Sequence, residues 1–161
     1  MHNYLITQEQ VNEIMIVFGG TDQNDLSRKI CHAIKDFCKN RKIHINVITG
    51  AGYKNYNKLE HETRNFKNIS LTRATGVISS VMERSQLAIT SNGRTVYELA
   101  HMNVTGIVIS QNERETTHNF SKEENGFIPI GIYKEGETEK LVLKELEKLL
   151  NDHAYRYTLF E

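Results

Sequence analysis

The chain has 161 residues, of which 39% are hydrophobic and 25% charged, and its 20 Lys and Arg residues balance its 20 Asp and Glu residues. This length suits one domain with one core and is too short for two domains of ordinary size. The balanced charge excludes the strong basic field of proteins that bind nucleic acids or anionic membranes, and it leaves a small anionic ligand open. The N-terminus lacks the pattern of a signal peptide and no apolar run has the length of a membrane span, so we expect a cytoplasmic location.

Short β-type runs alternate with helical patterns along the whole chain. The predicted strands cover residues 13–18, 43–48, 68–72, 86–90, 105–109 and 127–130. Apolar residues at helical spacing predict helices that begin near residues 26, 56, 77, 95, 113 and 137. The single proline, Pro129, indicates that the sixth strand lies at a sheet edge. This alternation predicts an α/β domain with a six-stranded parallel sheet and helices on both faces.

Two cysteines, Cys31 and Cys38, lie on the first predicted helix near its apolar face. Two buried, reduced thiols are the expected arrangement. A metal site would need further ligands, and His32 points away from this face. The sequence therefore predicts neither a metal nor a cofactor, and reduced thiols agree with a cytoplasmic location.

The loop after the first predicted strand carries two glycines. Ligands of open parallel sheets bind beyond the carboxyl ends of the strands, where helix N-termini present free N–H groups. Gly19, Gly20 and Thr21 allow a close approach of the backbone to an anion. The loop is neither a P-loop nor a G-x-G-x-x-G fingerprint, because neither Gly-Lys-Ser/Thr nor the third glycine follows. A tight turn with Asp22 or Asn24 as the helix cap remains an equal alternative.

The turn after the fourth predicted strand is small and polar. Ser91, Asn92 and Gly93 can direct N–H groups or side chains at an oxyanion. Thr95 and Glu98 have the spacing of a capping box, in which the glutamate accepts a hydrogen bond from the threonine N–H. The spacing alone favours this cap over a role for Glu98 in binding ribose hydroxyls.

The loop after the fifth predicted strand is also polar. Asn112 and Glu115 again have capping spacing. The density of polar side chains directly after an apolar strand is greater than a cap requires. These side chains are compatible with a surface that faces a sugar.

These loops resemble those of the C-terminal domain of GT-B nucleotide-sugar enzymes. The resemblance rests on IVFGGTDQNDLSRKI, on S-x-G-x-T-x-x-E within LAITSNGRTVYELAHMNVTGIVIS, and on QNERETTHNF followed by ENGFIPIG. It extends over residues 13–150. Within this family the chain most resembles the UDP-sugar hydrolase of pseudaminic acid biosynthesis and the spore-coat polysaccharide proteins. These are similar in turn to the GlcNAc transferase of peptidoglycan synthesis.

The resemblance implies one nucleotide-sugar-binding domain over residues 1–161, equivalent to the C-terminal half of a GT-B enzyme. The catalytic histidine of the hydrolase belongs to the N-terminal half, so no residue of this chain is expected to be catalytic. By this resemblance, the diphosphate would be approached by Gly19, Gly20 and Thr21, and the phosphate turn would consist of Ser91, Asn92, Gly93 and Thr95. Glu98 would bind the ribose hydroxyls. The base would be flanked by Arg73 and Val77, and the sugar would be faced by Asn112 and Glu115. Asn92 departs from the family pattern, because a glycine is usual at this position.

The implied ligand is a nucleotide sugar, UDP- or CMP-linked, and the implied partner is an N-terminal half or a fused catalytic domain. The parent would be a UDP-sugar hydrolase, a glycosyltransferase or a CMP-sialate synthase of nonulosonic (sialic, pseudaminic or legionaminic) acid or surface polysaccharide biosynthesis. The isolated domain is expected to be inactive, and homo-oligomerisation stays open. The main alternative is a non-catalytic interaction or oligomerisation module fused to a CMP-sialate-type cytidylyltransferase. A flavodoxin- or response-regulator-like domain is a weaker alternative, because no acidic cluster follows the first strand.

Overall fold

Six strands and three helices form the described part of the molecule. The computed structural model describes residues 12–18, 22, 24–73, 85, 87–91, 99, 104–111 and 127–151. The strands are β1 (Glu13–Val17), β2 (His44–Thr49), β3 (Ile69–Arg73), β4 (Leu87–Ser91), β5 (Thr105–Ser110) and β6 (Phe127–Ile132). The helices are α1 (Leu26–Asn40), α2 (Tyr56–Thr63) and α3 (Glu137–Asn151). All six predicted strands are confirmed. The helices predicted near residues 77 and 113 lie outside the described residues.

The strands form one sheet in the order β3-β2-β1-β4-β5-β6, and every neighbouring pair is parallel. The four central strands are buried along nearly all of their length, as expected for strands that are covered on both faces. The sheet order changes direction between β1 and β4, which are neighbours although two strands separate them in the chain. The predicted six-stranded parallel sheet is thereby confirmed.

Alternate residues of the strands enter two separate cores. The larger core contains Ile14 and Ile16 of β1 together with apolar residues of α1, α2 and α3. The smaller core contains Met15 and Val17 of the same strand, and on this side they pack with Leu99, which is helical. Apolar helical residues therefore cover both faces of the sheet, as the sequence predicted.

The sixth strand lies at one edge of the sheet, which confirms the prediction drawn from Pro129. Pro129 is exposed and pairs with Val108, and the register shifts between Val108 and Ser110. A proline lacks the N–H group that an inner strand would need for a second neighbour. The edge position therefore follows from the covalent structure of this residue.

Both cysteines are free and buried in the larger core, as predicted. Burial raises the pKa of each thiol to about 12, so both remain protonated at neutral pH. In the described part of the chain, no group of three His, Cys, Asp or Glu residues is arranged to hold a metal ion. Within the same residues, no helix combines the length and the apolar character that a membrane crossing requires.

Candidate functional site

A crevice is expected where β1 and β4 end side by side. Strand β1 leads to α1, whose residues Ile30 and Ile34 belong to the larger core. Beyond β4, the helical residue Leu99 belongs to the smaller core on the opposite face. Two neighbouring parallel strands that send their connections to opposite faces leave a space between their loops, and ligands of open α/β sheets bind there.

The carboxyl end of β4 places two hydroxyl groups at this point. Ser91 is 9% exposed, and its Oγ donates to the main-chain oxygen of Phe18 at 3.5 Å, the long limit of a hydrogen bond. Thr90 is fully buried, and its Oγ1 has no hydrogen-bond partner in the part of the chain that the structure describes. Within the described residues, the two hydroxyl groups at the end of β4 therefore make one long hydrogen bond in total.

The loop between β1 and α1 is held by Asp22. This residue is 6% exposed and has a left-handed backbone with φ of 49°. Its two carboxylate oxygens accept hydrogen bonds from the amides of Leu26 at 2.9 Å and Ser27 at 2.8 Å. Asp22 therefore supplies the acceptors expected of a cap, although the N-cap position itself is Asp25, which makes no side-chain cap bond. Asn24 instead donates its side-chain amide to the main-chain oxygen of Gln111.

The cap has an electrostatic consequence for ligand binding. Burial raises the pKa of the Asp22 carboxyl above its ordinary value, and the hydrogen bonds from Ser27 and Leu26 oppose this effect. The Asp22 carboxylate, which lies just before the first turn and bonds to its amides, also interacts favourably with the positive end of the helix dipole. The N-terminus of α1 is therefore already occupied by an acidic group of the protein.

A second acidic residue, Asp25, connects the β1–α1 loop to the loop after β2. Its carboxylate accepts a hydrogen bond from the Tyr53 hydroxyl and one from Arg28 Nε at 2.5 Å. Burial, and then the bond to Asp25, raise the pKa of Tyr53, so this hydroxyl is a donor at all ordinary pH values. Among these contacts, only the spacing of Asp25 and Arg28 is visible in the sequence.

The network continues from α1 to α2 through Glu62. Glu62 Oε1 lies 3.7 Å from Arg28 Nη1 and 2.8 Å from His32 Nε2. The hydrogen bond with His32 lowers the pKa of Glu62 below its ordinary value. His32 also contacts Lys35 Nζ at 3.0 Å. The two helices on this side of the site are therefore tied by charged side chains above the apolar core.

Arg73 is the last residue of β3, farther along the carboxyl edge of the sheet. This residue is exposed, and its guanidinium lies 4.3 Å from the centre of the Tyr56 ring, at the start of α2. An arginine in this position makes a cation–π contact and forms a flat surface with the ring. Strand β3 is three strand spacings from β4, or about 14 Å.

Two of the predicted binding residues, Ser91 and Arg73, fall within the described residues, and both lie at the carboxyl edge of the sheet. Each is the last residue of its strand, and their predicted roles stay predictions. The remaining predicted residues lie outside the described residues, and they are Gly19, Gly20, Thr21, Val77, Asn92, Gly93, Thr95, Glu98, Asn112 and Glu115. The capping box of Thr95 and Glu98 stays a prediction.

Residues 14–158 match the family described as glycosyltransferase family 28 C-terminal domain. The chain belongs to this family. The family contributes the nucleotide-sugar-binding C-terminal half of GT-B glycosyltransferases, which agrees with the resemblance seen in the loops. The match does not distinguish the hydrolase of pseudaminic acid biosynthesis from other members.

Solved structures of other proteins share the fold, among them the following three. A proposed UDP-N-acetylglucosamine 2-epimerase of Listeria monocytogenes has a TM-score of 0.68 at 13% identity, over 95% of this chain and 40% of that chain. MurG of Acinetobacter baumannii has a TM-score of 0.66 at 13% identity, over 98% and 48%. The solution structure of ALG13 has a TM-score of 0.60 at 12% identity, over 89% and 88%.

A curated relative is also matched over only part of its length. An uncharacterized protein of Methanocaldococcus jannaschii is 26% identical over 108 residues, which is 65% of this chain and 22% of that protein. The chain thus spans less than half of the epimerase-like and MurG chains, and less than a quarter of the curated relative. These likenesses show a Rossmann-like GT-B C-terminal fold.

Proposed function

We propose that this chain binds the nucleotide part of a nucleotide sugar in the crevice between the ends of β1 and β4. The observation that carries the proposal is the reversal of strand order at this point, with the Ser91 hydroxyl between the two strand ends. Family membership makes a nucleotide sugar the expected ligand. A UDP-linked sugar is the first choice, and a CMP-linked sugar the second.

The proposed site divides the ligand among the loops of the carboxyl edge. In this proposal Ser91, Asn92, Gly93 and Thr95 would be the phosphate turn before a helix N-terminus, whose free N–H groups would bind phosphate oxygens. The N-terminus of α1 holds Asp22, so the loop before it contributes backbone contacts from Gly19, Gly20 and Thr21 and no free helix end.

The nucleoside extends from this turn toward β3. Glu98 accepts hydrogen bonds from the ribose hydroxyls. Arg73 and Val77 flank the base, and the ring of Tyr56 supports the Arg73 guanidinium. Asn112 and Glu115, after β5, face the sugar on the other side of the phosphates.

The whole protein would combine this domain with an N-terminal half that supplies acid–base chemistry and activates water or an acceptor. Residues 1–161 would then act as one positioning domain, inactive alone. The parent enzyme would be a UDP-sugar hydrolase or glycosyltransferase of nonulosonic acid or surface polysaccharide biosynthesis. The resemblance of the GGTD loop and of the S-x-G-x-T-x-x-E turn to those enzymes supports this assignment.

Calorimetric titration of the full-length protein with UDP, CMP and their sugar conjugates tests the proposal. UDP should bind saturably, and Glu98→Gln should weaken its binding about tenfold, because a charged acceptor for hydroxyl groups is lost. Glu147→Gln, at an exposed position of α3, is the matched control and should bind as the wild type does. Absence of saturable binding by the wild type would contradict the proposal and favour the interaction module.

A further inference from the structure

One hydrogen bond joins two loops of the candidate site that are far apart in the chain. The Asn24 side-chain amide donates to the main-chain oxygen of Gln111 at 3.0 Å, across 87 positions of sequence. Asn24 precedes α1, and Gln111 directly follows β5. Strand β4 lies between β1 and β5, which are therefore two strand spacings, or about 10 Å, apart. The bond joins the loops that follow these two strands, across the end of β4.

The conformation of the β1–α1 loop places the Asn24 side chain where it can bond to Gln111. The Asp25 amide donates to the Asp22 main-chain oxygen at 2.8 Å, which closes a turn with Asn24 near its tip. Asp22 and Asp25, on either side, have left-handed backbones with φ of 49° and 56°. Such conformations cost free energy outside glycine and persist only where neighbouring contacts fix them. The cap made by Asp22 supplies such contacts.

The same loop is also fixed to the β2 side of the sheet. Asp25 accepts the hydrogen bond of Tyr53, which follows β2, and binds Arg28 at 2.5 Å. The loops after β2, β1 and β5 are thereby linked in series by Tyr53, Asp25 and Asn24. Asn24 is the link that crosses the end of β4, where the proposed phosphate turn begins.

We propose that Asn24 is a positioning residue that couples the phosphate side of the site to its sugar side. The inference rests on the proposed function, in which the β1–α1 loop approaches the diphosphate and the loop after Gln111 faces the sugar. With the bond in place, the two loops keep one relative position. Without it, the loop after β5 loses this hydrogen bond to the β1 side, and the sugar is recognised less well than the nucleotide.

Paired titrations measure this coupling in the full-length protein, with UDP and UDP-N-acetylglucosamine as probes. Asn24→Ala should weaken binding of UDP-N-acetylglucosamine about fivefold, the equivalent of one ordinary hydrogen bond, and should change UDP binding less than about twofold. Asn24→Asp keeps the shape and replaces the donor by an acceptor, so its loss should be at least as large. Asn57→Ala, at an exposed position of α2, is the control. An unchanged ratio of the two affinities in both Asn24 variants would overturn the proposal.

Hydrogen exchange without ligand separates this inference from the proposed function. In Asn24→Ala, a peptide that covers residues 107–113 should exchange faster than in the wild type, and a peptide within β2 should not. If wild-type protein binds neither probe, the proposed function fails and the exchange result alone decides the coupling. Unchanged exchange in both Asn24 variants would then overturn it.

Discussion

The ends of β1 and β4 lie side by side and are built in different ways. Beyond β1, polar side chains bond to the protein itself: Asp22 caps α1, Asp25 binds Tyr53 and Arg28, and Asn24 reaches Gln111. At the end of β4, the Ser91 hydroxyl makes one long hydrogen bond. The Thr90 hydroxyl, buried beside it, has no partner among the described residues.

The difference indicates that the two strand ends have different roles at the candidate site. A loop whose polar groups are satisfied internally keeps one shape and serves as a frame. The Ser91 hydroxyl, which makes one long hydrogen bond within the described residues, is suited to bind an external ligand. On this account, the β1 side positions the site and the β4 side binds the phosphates. The following substitutions test the packing of β4 against β5 and the internal hydrogen bonds on the β1 side.

The largest expected effect is at Gly106, where β5 approaches β4 closely. A Cβ at this position would lie 2.3 Å from the main-chain oxygen of Ala88. Gly106→Ala should therefore lower the free energy of unfolding by about 3 kcal/mol, because neither backbone can yield easily. Urea denaturation measures the loss. Gly136→Ala is the comparison, since no atom lies within 4 Å of its Cβ and only its φ of 81° opposes the change. Equal losses in the two variants would refute the steric explanation.

Asp22→Ala tests the frame on the β1 side. It leaves the amides of Leu26 and Ser27 without their acceptor and puts alanine in a left-handed conformation. We expect a loss of about 2 kcal/mol in the free energy of unfolding. Asp36→Ala, at an exposed position of the same helix, should cost much less. Similar losses for both variants would show that the cap is not what stabilises the loop.

Tyr53→Phe removes the hydroxyl that links the loops after β1 and β2. The expected loss is about 1 kcal/mol in thermal or urea unfolding, the value of one ordinary hydrogen bond. Tyr133→Phe removes a similar bond, to Glu139 at 2.8 Å, on α3. Both variants should lose stability, and only Tyr53→Phe should also weaken UDP binding. A binding loss of the same size in Tyr133→Phe would contradict a framing role for Tyr53.

The smallest effect concerns pH. Because burial raises the pKa of Asp22, its folded form binds a proton more tightly than its unfolded form, whose pKa is near 3.8. The contribution of Asp22 to stability is then full below this value and is lost as pH rises through the raised pKa. The stability advantage of the wild type over Asp22→Asn should fall across this window and stay constant above it. An advantage that grows with pH would contradict a raised pKa.

The sequence predicted the sheet well, because each strand is a short apolar run and each connection has a helical pattern. Pro129 even indicated the edge, since its missing N–H is a local property. Buried thiols at Cys31 and Cys38 followed from the apolar face of one helix. Predictions of this kind depend only on residues that are close together in the sequence.

The links between the loops could not be predicted in this way. Asn24 and Gln111 are 87 positions apart, and Asp25 and Tyr53 are 28 apart, so nothing in their spacing indicates contact. Both Asp22 and Asn24 are residue types that cap helices, and the left-handed turn decided that Asp22 does so. Strand order brings these loops together, and that order is a property of the whole chain.

Amide chemical shifts during a titration with UDP show whether nucleotide binds at the carboxyl ends of β1 and β4, as we propose. Phe18 and Ser91 lie at the carboxyl ends, while Glu13 and Leu87 begin the same strands at the opposite edge. We expect this binding to produce saturable shifts at Phe18 and Ser91 and none at Glu13 and Leu87. Shifts confined to the amino ends, or no saturable shift at any of the four amides, would contradict it.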